Sequence, residues 1–258
     1  AEGIDLSEKE AEEAMLEIMQ GVATEVQIAA YLMGLRMKGE TIEEITGSVR
    51  AMRELAIRIP ITDPQVVDTC GTGGDKSQTF NISTAAALVV AGGGMTVAKH
   101  GNRSVSSQSG SADVLAALGV NIELSPEKVA DCINEVGIGF LFAPLYHGAM
   151  KRCAKPRAEM GIRTLMNILG PLSNPARATI QVLGVYDQAN NEKLAQVLMR
   201  LGTQHCFVLH GMDGLDEISL TSRTSIAEGK KGRVQGYSIG PEDFGLHPVS
   251  PKELLGGN

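Results

Sequence analysis

The stretch Asp-Thr-Cys-Gly-Thr-Gly-Gly-Asp at residues 68–75 sets three glycines close together and ends in a carboxylate. Gly71, Gly73 and Gly74 leave backbone amides uncovered by side chains, so several N–H groups can converge on phosphate oxygens. No Gly-Lys-Ser/Thr follows, which excludes a Walker loop, and the spacing is not Gly-x-Gly-x-x-Gly. Alone, such a cluster is equally well a tight turn. Just downstream, Asn81-Ile82-Ser83-Thr84 opens a helical stretch with three polar side chains. Capping needs only one of them, and a helix start rich in donors is a natural anion site.

A second polar stretch, residues 99–113, carries Lys99, Asn102, Arg103, Ser104, Ser106, Ser107, Ser109 and Ser111 between a strand and a helix. So many donors suit a multiply charged phosphate ester, whereas a serine-rich surface loop is the plainer reading. Farther on stand Asp216 and Glu217, adjacent acids that alone usually mark a solvated turn. Magnesium is a hard ion that takes few carboxylates and keeps water and phosphate oxygens as its other ligands. Asp75, Asp216, Glu217 and the Ser83 hydroxyl together make an oxygen set suited to magnesium around a diphosphate. An acid inside a phosphate cradle is tolerable when a cation, or the hydroxyls of a sugar, lies between the two.

These residues need elements to hold them. Ser7 with Glu10, Thr24 with Gln27 and Thr41 with Glu44 have capping-box spacing, and each opens a stretch of helical apolar periodicity. Gly21 and Gly39 close the first two helices and Pro60 follows the third. After Pro64 the pattern changes. Strands are expected at 66–70, 95–101, 138–144, 179–187 and 205–211. Helices are expected at 83–94, 111–119, 126–137 and 190–202. This alternation predicts an α/β fold with a mainly parallel sheet covered on both faces, where polar strand ends bind ligands. Residues 224–239 read as a hairpin bent at Gly-Lys-Lys-Gly. Gly170-Pro171 and Asn174-Pro175 read as turns and a possible interdomain hinge. The final Pro-Lys-Glu-Leu-Leu-Gly-Gly-Asn reads as a helix start in a chain cut short. The domain expectation is a small helical unit at 1–63, joined by about 155–173, and an α/β unit at 64–258.

Composition narrows the ligand. The net charge of −7, the absence of tryptophan and an aromatic content of 3% argue against nucleic-acid binding. An anionic ligand must then be caught by local geometry or a metal, since the overall field repels it. Cys70, Cys132, Cys153 and Cys206 form no Cys-x-x-Cys pair and read as buried thiols. With no membrane-length apolar run and no signal-peptide pattern, a cytoplasmic protein with no membrane partner is expected.

The ordered stretches 68–75, 81–84, 99–119, 156–175 and 211–219 closely resemble anthranilate phosphoribosyltransferases, enzymes of tryptophan synthesis. The resemblance runs from the first helices to the end of the chain. It implies a helical domain on a larger α/β domain, a homodimer through the helical domain, and Mg2+ as cofactor. It implies transfer of phosphoribosyl from phosphoribosyl diphosphate to anthranilate. Carried over by matching stretch, Gly71, Gly74, Asp75, Thr79, Asn81, Ile82, Ser83 and Thr84 would contact phosphoribosyl diphosphate. Lys99, His100, Gly101, Asn102, Arg103, Ser104, Val105, Ser106, Ser107 and Ser111 would join them. Gly71, Asn102, His147 and Arg157 would face anthranilate, and Ser83, Asp216 and Glu217 would ligate the metal. Lys99, Asp75 and Arg157 are the residues expected to carry catalysis. Two alternatives remain open at this point: a pyrimidine nucleoside phosphorylase of similar layout, and a ligand-binding protein of the same fold without activity.

Overall fold

The computed structural model describes residues 2–73, 79–103 and 110–256. Three helices open the chain: α1 (Glu8–Gln20), α2 (Glu25–Lys38) and α3 (Ile42–Leu55). Each begins at its expected Ser7, Thr24 or Thr41 cap, with both halves of the capping box formed. α1 buries Ala11, Met15, Ile18 and Met19, one face at helical spacing.

The remainder alternates strand and helix: β1 (Val66–Gly71), α4 (Ile82–Gly92), β2 (Thr96–Gly101), α5 (Ser111–Ala117), α6 (Pro126–Val136) and β3 (Ile138–Phe142). There follow α7 (Ala143–Tyr146), α8 (Ala154–Met160), α9 (Met166–Leu172), β4 (Ile180–Gly184), α10 (Asn191–Arg200), β5 (His205–Gly211), β6 (Thr224–Lys230) and β7 (Arg233–Ile239). One seven-stranded sheet runs in the order β3-β2-β1-β4-β5-β6-β7. The first five of these are parallel, and β6 and β7 add antiparallel. The chain steps outward from β1 through β2 to β3, then returns to place β4 on the other side of β1. That reversal opens a crevice at the carboxyl ends of β1 and β4.

The expected hairpin is present, with Lys231 and Gly232 at positive φ (51° and 75°) between the paired Lys230 and Arg233. At the edge strand β7 most side chains are exposed, with Val234 packed against the core. Gly170-Pro171 is not a turn. Both residues lie in the last turn of α9, where the Pro171 carbonyl accepts from Gln181 Nε2 at 2.7 Å. Near the end, a Ser250–Glu253 capping box starts a short 3-10 helix at Pro251–Leu254, as expected of a helix start, and Leu255 then bridges to Thr79. Cys70, Cys153 and Cys206 are buried as expected, but Cys132 is only half-buried.

The largest apolar core ignores the boundary between bundle and sheet. It joins Met15, Ile28, Leu32 and Ile45 of the first helices to Leu169 and Leu172 of α9, Leu183 of β4, Leu194 of α10 and Val208 of β5. Arg53 of α3 reinforces the seam. Its Nε and Nη2 donate to the Leu172 carbonyl at 3.0 and 2.7 Å, and its Nη1 to that of Leu201 at 3.2 Å. α8 packs on α2, the turn at 148–153 packs on α1, and Lys155 pairs with Glu25 at 2.6 Å.

Candidate active site

β1 and β2 are parallel neighbours, so their last residues, Gly71 and Gly101, leave the sheet along one edge. Gly184 ends β4 opposite Gly71 on that same edge. A cleft of about 1130 Å³ opens there. Every described residue of the expected set lines it: Gly71, Thr79 and 81–84, then Lys99 to Arg103, Ser111, His147, Arg157, Asp216 and Glu217. Gly74, Asp75, Ser104, Val105, Ser106 and Ser107 lie outside the described residues.

The acidic loop after β5 bends over the ends of β1 and β4. A Cβ on Gly184 would lie 1.5 Å from the Asp216 carbonyl oxygen, and one on Gly71 would lie 2.6 Å from its Oδ2. Only glycine admits that approach. The Gly73 N–H donates to the same Oδ2 at 2.8 Å, and the Thr72 N–H to the Gly184 carbonyl at 2.9 Å. The glycine loop and the acids are therefore one assembly, though 143 residues separate Gly73 from Asp216.

Beneath α4, Lys99 is buried and donates to the Thr69 carbonyl at 2.6 Å and to Ser83 Oγ at 3.3 Å. Thr69 Oγ1 in turn donates to the Ser83 carbonyl at 2.8 Å, and Asn81 caps the helix by accepting from the Thr84 N–H at 3.1 Å. Burial lowers the pKa of Lys99, while the buried Asp68 beside it raises it again. Asp68 Oδ1 accepts from the His100 N–H at 3.1 Å, and burial pushes that carboxyl upward.

The opposite wall carries His147 and Arg157. The rings of His100 and His147 stand 5.1 Å apart. Burial pushes His147 down to about 4, and burial together with the charges of His147 and Lys99 pushes His100 down to about 3. Both shifts favour the neutral imidazole. Among the described residues, Nε2 of each is buried with no hydrogen-bond partner. Such orphaned polar atoms are uncommon and concentrate where a ligand or chemistry is served. Burial also lowers the guanidinium of Arg157. Arg103 is turned aside into a 2.9 Å ion pair with Asp113, and Ser111 Oγ donates to the Asn102 carbonyl at 3.4 Å.

Several lining residues escaped the sequence reading, among them three polar ones. Arg163 sits 3.9 Å over the Tyr186 ring, and Lys151 and Asn167 complete that wall. A basic residue six positions beyond Arg157 was the available signal for Arg163. Lys151 and Asn167 carry none.

No group of three or more His, Cys, Asp or Glu side chains assembles a metal cage among the described residues. The cleft instead is lined by two adjacent carboxylates and the Ser83 hydroxyl, all hard oxygens. That donor set fits magnesium. No helix among the described residues is long and apolar enough to cross a membrane.

Comparison with known proteins agrees with this layout. The helical bundle domain of a glycosyl transferase family matches residues 1–56, and the α/β domain of that family matches residues 63–258. The chain is 54% identical to anthranilate phosphoribosyltransferase of Persephonella marina over 258 residues, covering all of this chain and 76% of that one. The structure of anthranilate phosphoribosyltransferase from Thermus thermophilus superposes with a TM-score of 0.94 at 45% identity, covering 99% of this chain and 76% of the other. The Saccharomyces cerevisiae enzyme, solved with PRPP and Mg, superposes at 0.86 with 28% identity, covering 97% and 73%.

Proposed function

The chain belongs to the anthranilate phosphoribosyltransferase family, and on that premise we propose that its cleft seats phosphoribosyl diphosphate between the two strand-end loops and anthranilate against Arg157. The reaction joins the amine of anthranilate to C1 of the phosphoribosyl group and releases diphosphate, a step of tryptophan biosynthesis. One observation carries the site reading: the described ends of both glycine-bearing loops, the acidic pair and Arg157 line a single cleft at the switch point of the sheet.

As the bond from C1 to diphosphate breaks, negative charge builds on the leaving group and the ribose takes oxocarbenium character. The Lys99 ammonium, anchored on the Thr69 carbonyl and Ser83 Oγ, supplies positive charge for the departing diphosphate, fixed in place before that charge develops. Ser83, Asp216 and Glu217 would hold Mg2+, which would supply neutralising charge to the diphosphate. Arg157 offers a planar fork to the anthranilate carboxylate and so aims the amine. An aromatic amine is nucleophilic while neutral, so orientation serves better than a strong base. The neutral His147 and His100 accord with that economy. Gly71, Gly74, Asp75, Thr79, Asn81, Ile82, Thr84, His100 and residues 101–107 with Ser111 would complete the phosphoribosyl diphosphate contacts.

Fluorescence-monitored consumption of anthranilate with phosphoribosyl diphosphate and Mg2+ tests this reading. Magnesium-independent phosphorolysis of thymidine or uridine, without loss of anthranilate, would overturn it.

The stretch 155–173 belongs with residues 1–63 as one helical domain, supported by the packing of α8 on α2. Two copies pair through that domain. Val26 and Met37 of α2 support this, being 79% and 76% exposed. Sedimentation of Val26→Glu/Met37→Glu against the parent chain checks it. The unpaired cysteines support a cytoplasmic setting.

A further inference from the structure

We propose that Asp213, Ser219 and Thr221 form a positioning hub for the acidic pair, so that Asp213 sets the affinity of the cleft for Mg2+ and phosphoribosyl diphosphate without touching either. The inference rests on the reading of Asp216 and Glu217 as metal ligands.

The loop between β5 and β6 is tied at its neck, where the Met212 N–H donates to the Arg223 carbonyl at 2.8 Å. A tight turn follows, with the Gly214 N–H donating to the Gly211 carbonyl and the Gly211 N–H to that of Leu215, both at 2.8 Å. Inside the loop one carboxylate gathers both flanks. Asp213 Oδ2 accepts from Ser219 Oγ at 2.6 Å and from the Thr221 hydroxyl, and its Oδ1 accepts from the Leu215 N–H at 3.4 Å. Ser219 Oγ accepts in turn from the N–H groups of Thr221 and Ser222 at 3.0 and 3.1 Å. The Ser219 N–H donates to Thr224 Oγ1, already on β6, at 2.9 Å.

Asp213 precedes the acids by three residues, and Ser219 follows Glu217 by two. The hub therefore clasps the chain on either side of the pair, and Leu215, buried between them, plugs the loop from within. On the far side Asp216 is pressed against Gly184 and receives the Gly73 N–H. Two neighbouring carboxylates repel each other and gain by swinging apart into water. A loop pinned at its neck, at Gly184 and through the hub cannot release them. Groups that orient metal-binding side chains typically govern affinity by about tenfold to a hundredfold.

The test compares Asp213→Ala, Asp213→Asn and Asp216→Asn with the parent chain. Two quantities are read: the Mg2+ concentration giving half-maximal rate, and calorimetric binding of phosphoribosyl diphosphate with Mg2+. In Asp213→Ala the Mg2+ requirement rises about tenfold or more, calorimetric affinity falls with it, and the KM for anthranilate stays within about twofold. Asp213→Asn, which keeps one acceptor oxygen, falls between. Unchanged Mg2+ response and unchanged binding in a folded Asp213→Ala overturn the proposal, as does an equal rise in the KM for anthranilate. Should Asp213→Ala fail to fold, Thr221→Ala removes the Thr221 hydroxyl's bonds to Asp213 and Ser219 but leaves the Asp213–Ser219 bond, and is judged by the same two outcomes at a smaller fold-change. Asp216→Asn separates the premises. If it too leaves the Mg2+ response unaltered, the metal reading fails; if it alone responds, only the hub fails.

Discussion

At the scale of single residues, Arg157 and the two buried histidines make opposite use of burial. A half-desolvated guanidinium binds a carboxylate more strongly than one in water, since the same low dielectric that lowers its pKa deepens the attraction. Arg157→Ala should raise the KM for anthranilate about tenfold to a hundredfold, the worth of charged hydrogen bonds of ~1.5–3 kcal/mol. The KM for phosphoribosyl diphosphate should move little. Steady-state kinetics with each substrate varied in turn decides this. His147 and His100 have folded pKa values of about 4 and about 3, below the 6.5 of the free imidazole. The unfolded chain then binds the extra protons first. Stability is fully present above about pH 6.5 and is lost as pH falls toward 4, by up to ~1.4 kcal/mol per pH unit for each ring. Urea midpoints from pH 7 to pH 4 should show a shallower fall in His147→Gln than in the parent chain. A slope that does not change would mean that His147 is already protonated when folded.

At the scale of elements, the first three helices are specified mostly by their ends. Thr41 begins α3 by capping the Glu44 N–H at 3.1 Å, an ordinary cap whose loss in Thr41→Ala should cost about 1 kcal/mol. Glu44 does far more than close the box. Fully buried, it accepts from the N–H groups of Leu6 and Thr41 at 3.0 and 2.9 Å and from Lys38 Nζ at 2.9 Å. It thereby ties the chain before α1 to the end of α2. Glu44→Ala strands those donors and should cost about 3 kcal/mol, the range for a broken buried pair. Equilibrium urea denaturation should rank the two variants in that order; equal losses would reduce Glu44 to a capping residue.

At the scale of the whole molecule, the shared core decides how the protein unfolds. The bundle and the sheet bury one continuous set of side chains, and Arg53 stitches α3 to the carbonyls of Leu172 and Leu201 across the seam. Removing either part would expose this shared cluster. Leu169, fully buried where the two meet, should cost about 2–5 kcal/mol on truncation to alanine. Calorimetry should show one transition shifted down as a unit. Two separated transitions would show that bundle and sheet are independent.

The sequence by itself determined whatever depends on near neighbours. Capping boxes, helix and strand periods, the Lys231-Gly232 bend and the polar composition of both loops are written within a few residues of where they act. Local signals misled where a distant partner overrode them. Gly170-Pro171 reads as a turn, yet packing of α9 against α3 and the Gln181 hydrogen bond hold it helical. The resemblance to a family supplied the list of cleft residues, but no spacing shows that Asp216 must rest on Gly73 or beneath Gly184. Lys151 and the hub at Asp213 likewise had no distinct local mark. Those relations arise because parallel strands bring their carboxyl ends to one edge, whatever chain length separates them. Only the folded sheet, with β4 returning beside β1, could place a glycine loop and an acid so far apart in sequence within one hydrogen bond.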